Sequence, residues 1–166
     1  MSRTVGSILP PPLWERLRGN DLAGRLGAAI LIATSDEAGW PHPAMLSYGE
    51  VVAVDACRIR LAIHPTSRTA ANLRRSGQLT LCCVEAGLVY YVKAAARVEE
   101  DPMAGMPHLA RFEATVQTVL ADEARPETEA GAVVTDGIRF AVGRPAWAVL
   151  RDWETVVERL RGDACG

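Results

Sequence analysis

Apolar residues recur along this chain with two different periods, and each period marks a kind of element. Leu13, Trp14 and Leu17 follow a triple proline at helical spacing, and proline is tolerated in a first helical turn, so residues 10–18 read as a short helix. A second short helical segment is expected over 21–26, with Asp21 as its cap. Residues 28–34 are apolar and lead into Ser35-Asp36-Glu37-Ala38-Gly39, which is a strand ending in a turn. The return strand, 40–48, contains Pro41 and Pro43, which remove two ladder donors; this predicts an edge or bulged position at its start, with full pairing only over 44–48. Residues 51–54 and 58–63 form a hairpin-like unit around Asp55-Ala56-Cys57, in which Arg58 and Arg60 alternate with Ile59, Leu61 and Ile63. Residues 66–75 turn to helical chemistry, with Thr66 or Ser67 as cap and Gly77 just past the end. Residues 78–84 and 88–98 are β-rich again around Glu85-Ala86-Gly87.

The last third changes period. Leu109, Phe112, Val116 and Val119 are spaced by three and four, which predicts an amphipathic helix over 107–124. A polar loop is expected over 125–131 and a further strand over 137–142. Pro145 then opens a helix over 145–162 with Trp147, Leu150, Trp153, Val157 and Leu160 as its apolar stripe and Gly162 as its stop. With no repeat and no long linker, residues 1–166 read as one domain, residues 1–26 forming an N-terminal helical extension. The expected class is α+β, mainly β with α: five or six antiparallel strands in a small barrel with peripheral helices.

Composition narrows the function classes. A chain of 166 residues, 49% hydrophobic and 23% charged, is neither disordered nor collagen-like, and its net charge of −2 argues against an electrostatic nucleic-acid binder. The longest apolar run, 26–34, falls far short of the roughly 18 residues a membrane span needs. No apolar leader region precedes a cleavage site, so a cytoplasmic location is expected. Cys57, Cys82, Cys83 and Cys165 lack CxxC spacing, and His42, His64 and His108 have no acid or cysteine at ligand spacing; reduced thiols and no metal site are expected. Adjacent Tyr90 and Tyr91, like adjacent Cys82 and Cys83, must face opposite sides of a strand, one of each pair packing inward.

One segment carries chemistry. His64-Pro65-Thr66-Ser67-Arg68-Thr69-Ala70-Ala71-Asn72-Leu73 follows a strand and opens a helix, presenting unpaired N–H groups, three hydroxyls and an arginine fork suited to phosphate oxygens. The same residues also serve as an ordinary capped helix start with a solvated arginine.

The order of elements from residue 27 to 98 resembles the pyridoxamine 5'-phosphate oxidase-like superfamily, the FMN-binding split barrels. The resemblance is carried by Gly39, by Trp40-Pro41-His42-Pro43-Ala44-Met45-Leu46-Ser47, by the strand ending at Ile63, and by Ser67-Arg68-Thr69 opening a helix that closes in Asn72-Leu73. It implies an antiparallel split β-barrel with peripheral helices and an FMN cofactor at a homodimer interface. The phosphate would be gripped by Ser67, Arg68 and Thr69, and the ring would run along Met45, Leu46 and Ser47. Ile63, His64 and Asn72 complete the implied cofactor-binding set. The oxidase proper carries an arginine near Ala44, a lysine near Gly49 and a lysine at Thr69, and a C-terminal Arg-Leu-His-Asp-Arg run; none is present here. The implied activity is therefore an FMN-dependent oxidoreductase acting on a small organic substrate other than pyridoxamine phosphate, with a reduced nicotinamide as one electron donor. Barrels of this kind that hold heme or a deazaflavin, or that bind flavin or sense redox state without catalysis, are the alternatives. No catalytic acid or base is indicated.

Overall fold

The computed structural model describes residues 2–125, 128, 129 and 131–162. The strands are β1 (Arg3–Gly6), β2 (Ala29–Ser35), β3 (Pro41–Ser47), β4 (Val51–Ala53), β5 (Arg58–Ile63), β6 (Gln78–Glu85), β7 (Leu88–Glu100) and β8 (Ala110–Glu123). The α-helices are α1 (Pro11–Leu17), α2 (Arg68–Ser76) and α3 (Ala146–Arg161), with 3-10 turns at Ala23–Arg25 and Tyr48–Glu50. The strands make one eight-stranded sheet in the order β3-β2-β6-β7-β8-β5-β4, every pairing antiparallel. The far edge of β8 is shared: β5 takes its first half and β1, a strand the sequence pattern did not announce, its second. The sheet curls into a half-barrel around a core that includes Ile30, Ile32, Ile59, Leu61, Leu81, Val92, Phe112 and Val119, all fully buried. Among the described residues no helix is long and apolar enough to cross a membrane.

The helix expected over 107–124 is a strand, and the reason is visible in the register. Ala110, Phe112, Ala114 and Val116 are buried at a period of two, as a half-covered strand requires. Pairing then slips: Lys93 faces Thr118 while Ala94 faces Val116, leaving Gln117 as the extra residue of a bulge. Beyond it Val119 and Ala121 turn inward. The bulge stretches one spacing from two to three residues, and that single step imitates a helical period.

Three smaller expectations also change. β3 pairs with β2 along its whole length, Ser35 with Pro41 through Ala29 with Ser47. Pro41 and Pro43 lie at alternate positions, so their missing donors fall on the open side of an edge strand where no ladder bond is lost. The strand expected over 137–142 is reduced to one bridge between Arg139 and Ala28, because that segment only touches the start of β2, through Ala29 N–H to Ile138 O and Phe140 N–H to Gly27 O. Trp147 is 67% exposed: α3 buries Ala148, Trp153, Val157 and Leu160, and Trp147 falls off that face with the Arg151 guanidinium over its ring. Within the expected polar loop, Pro126, Glu127 and Ala130 lie outside the described residues, as does Cys165. Cys57, Cys82 and Cys83 are free; Cys83 points inward, where burial pushes its thiol up to about 12, and Cys82 points outward.

An ion-pair network pins α3 to the barrel. Glu113, 6% exposed on β8, accepts from Arg97 Nη2 (2.8 Å) and Arg60 Nε (3.2 Å). Arg60 Nη1 also donates to the carbonyls of Leu160 and Arg161, and Arg111 Nη1 to that of Arg159, so strand arginines satisfy the last carbonyls of α3. Burial alone raises the Glu113 carboxyl, but the hydrogen bonds from Arg60 and Arg97 outweigh it and hold the group below its ordinary range. A folded-state pKa below the unfolded one of about 4.3 means this stabilisation is present above that pH and lost as pH falls through the folded value. The urea midpoint of Glu113→Gln should therefore lie well below wild type at neutral pH, and the gap should close on acidification below about pH 4. A gap that stays constant with pH would mean Glu113 acts through packing alone.

Candidate functional site

The site is built where β5 hands over to α2. Ile63 ends β5 buried, and His64 begins a tight turn closed by Ser67 N–H donating to His64 O (3.0 Å). Thr66 Oγ1 lies 3.1 Å from His64 Nδ1, stiffening the turn. Ser67 caps α2: its Oγ accepts from Ala70 N–H (3.1 Å) and its carbonyl from Ala71 N–H (3.1 Å). The N–H groups of Arg68 and Thr69 precede the first intrahelical bonds and have no acceptor among the described residues.

The three arginines of α2 have different fates. Arg74 donates to Pro65 O (2.8 Å) and pairs with Asp101, and Arg75 donates to the carbonyls of Ser35 and Asp36, fixing the β2–β3 turn. Arg68 is exposed and engages no partner among the described residues. Thr69 and Asn72 are buried behind it. Asn72 Nδ2 donates to Thr34 Oγ1 (3.0 Å), which donates in turn to His42 O (3.4 Å), so Asn72 ties α2 to β2 and β3.

The β3 segment lies along the open edge of the sheet. Met45 is 59% exposed, and its alternation with Pro43 leaves its peptide groups on the unpaired side. Leu46 points inward, and its own N–H and C=O lie on the side paired with Ile30 of β2, so the structure brings neither its side chain nor its peptide groups to the open edge. Ser47 is already engaged, its N–H and Oγ both donating to Glu50 Oε2 (2.6 and 2.8 Å) in a capping box. The missing lysine near Gly49 has a structural cause: Gly49 is buried under the Trp153 indole, and even a Cβ there would overlap the ring. A phosphate at α2 would thus meet one free guanidinium, one hydroxyl and two N–H groups, a set that fits a phosphate monoester.

The sequence pattern passed over a second feature, a groove on the outer face of the sheet containing Lys93, Thr80 and Thr118. Its one signal in the sequence is that Lys93 is a lone lysine among 18 basic residues.

No family model matches the chain. It is 31% identical over 149 residues to YclD of Bacillus subtilis, an uncharacterized protein, covering 90% of this chain and 93% of YclD. Among solved structures, a candidate pyridoxamine 5'-phosphate oxidase of Lactobacillus delbrueckii superposes with a TM-score of 0.52 at 16% identity, over 70% of this chain and 98% of the other. An FMN-binding protein of Syntrophomonas wolfei gives a TM-score of 0.50 at 14% identity, over 69% of this chain and 88% of the other. Likeness at such identities speaks for the fold, whereas the YclD match extends over nearly the whole sequence. The chain therefore belongs to the family of Bacillus subtilis YclD and has the split-barrel fold of the pyridoxamine 5'-phosphate oxidase-like superfamily.

Proposed function

We propose that this protein is an FMN-dependent oxidoreductase acting on a small organic substrate. The observation that carries the reading is Arg68: a free guanidinium standing at a capped helix start while its two helix neighbours are consumed by structural contacts. Arg68, the Ser67 hydroxyl and the first N–H groups of α2 would hold the phosphate, and the exposed peptide edge at Met45 would orient the ring. Bound FMN would supply the electron and hydride chemistry, and the chain's own part is to position it and exclude water. The fold shared with the FMN-binding protein of Syntrophomonas wolfei supports this reading.

A second copy completes the proposal. Met45, Leu31, Cys82, Tyr91 and Leu120 are neighbours in register across five strands, and none of them is buried in the single chain. A partner chain laid on this row would bury it and wall the ring site, as in a homodimer.

The visible spectrum of the protein as purified, or after addition of FMN, tests the reading, with the released chromophore identified by mass. A flavin spectrum, sedimentation at twice the chain mass and oxidation of a reduced nicotinamide are expected. A colourless protein that rejects FMN, or a Soret band, would overturn it.

A further inference from the structure

The outer face of the sheet carries a groove of about 660 Å3 whose floor is set by strand register. Ala33 pairs with Thr80, Thr80 with Lys93 and Lys93 with Thr118, so these side chains stand in one row across β2, β6, β7 and β8. The bulge in β8 adds Gln117 to the same lining, and Gln78 closes the end nearest α2. Ala33 also pairs with Pro43, two residues before Met45, so the groove and the β3 edge share one face.

The chemistry of the lining is one-sided. Lys93 is exposed, and no carboxylate lines the groove. Among the described residues nothing engages its ammonium, the Thr80 and Thr118 hydroxyls or the Gln78 amide. Many basic side chains elsewhere sit beside acids, as Arg58 does with Asp55, Arg60 with Glu99 and Arg144 with Asp152. A lone ammonium with no carboxylate beside it attracts an anion and repels a cation, and the hydroxyls and amides around it can donate to the anion's oxygens.

We propose that this groove binds a small molecule through a carboxylate or phosphate group held by Lys93, Thr80 and Thr118. The inference stands whether or not a flavin binds at α2, and it requires that a partner chain on the neighbouring row of Leu31, Cys82 and Tyr91 leave Lys93 uncovered.

Because Lys93 is the single lysine, an amine-selective reagent addresses it directly in the intact protein, with the N-terminal amine as internal reference. Acetylation by an N-hydroxysuccinimide ester, mapped by peptide mass spectrometry, is followed with citrate, with inorganic phosphate, and with sodium chloride at matched ionic strength. Citrate or phosphate should slow Lys93 acetylation saturably, by roughly tenfold, and leave the N-terminal amine unchanged. Protection by citrate alone identifies a carboxylate ligand, and protection by phosphate alone a phosphate ligand. The protecting probe should also raise the melting midpoint of the wild type and not that of Lys93→Gln. Equal slowing by chloride, or no slowing by either probe, would overturn the proposal. So would a Lys93 that resists acetylation from the outset, since the groove would then be closed by a second copy of the chain.

Discussion

Replacing Phe112 with alanine should cost about 3–5 kcal/mol of folding stability. The ring is fully buried in the core, opposite Leu61 on β5 and Val98 on β7, with the Arg74 guanidinium 5.8 Å from its centroid. Truncation removes the largest fully buried side chain and leaves a cavity that strands paired on both sides cannot close. Set against a total stability of roughly 5–15 kcal/mol, that loss is a large fraction of what holds the chain folded. The melting midpoint should fall by about 6–20 °C, and the urea midpoint with it. Phe112→Leu, which keeps most of the volume, should lose much less. Thr115→Ala, at an exposed position of the same strand, should stay within about 0.5 kcal/mol of wild type. A loss below about 1 kcal/mol for Phe112→Ala would contradict the packing described here.

The second large effect is on binding. Arg68→Ala should weaken FMN by roughly tenfold to a hundredfold, the equivalent of one charge-assisted hydrogen bond of about 1.5–3 kcal/mol. Within α2 no second arginine is free to take over: Arg74 and Arg75 are held by backbone carbonyls, and the position near Gly49 is filled by Trp153. Stability without ligand should hardly change, because an exposed cation in a first helical turn opposes the local dipole. Riboflavin has no phosphate and should bind the variant and the wild type alike. Equal losses for FMN and riboflavin in a fluorescence titration would reduce the segment to a capped helix.

Much of this architecture could be read in advance, and the parts that could not share a cause. Strand β2 announced itself as a short apolar run ending in a turn, β6 and β7 as β-rich runs around Glu85-Ala86-Gly87, and β5 through the alternation of Arg58 and Arg60 with Ile59, Leu61 and Ile63. Helix α2 did so through local chemistry, Ser67 at its start and Gly77 in a left-handed conformation at its end, with φ of 64°. The phosphate-binding candidates Ser67 and Arg68 were legible for the same reason, since a cap and the residue after it are neighbours in sequence. That Arg68 stays free while Arg74 and Arg75 do not was not legible, because it depends on where Pro65, Ser35 and Asp36 arrive in space.

What the sequence by itself determined, then, is the set of elements whose signals are local: periods, caps, turns and the edge-strand prolines. Only the tertiary structure decided that residues Ala110–Glu123 are a strand, since a bulge at Gln117 exists only against the register of β7. It also decided that Gly49 must be small, because Trp153 arrives from a helix about a hundred residues later. Likewise it placed the lone lysine, Lys93, between two threonines from different strands. Each of these is a relation between segments distant in the chain, fixed by pairing and packing, and a period measured along one segment contains no information about its partner.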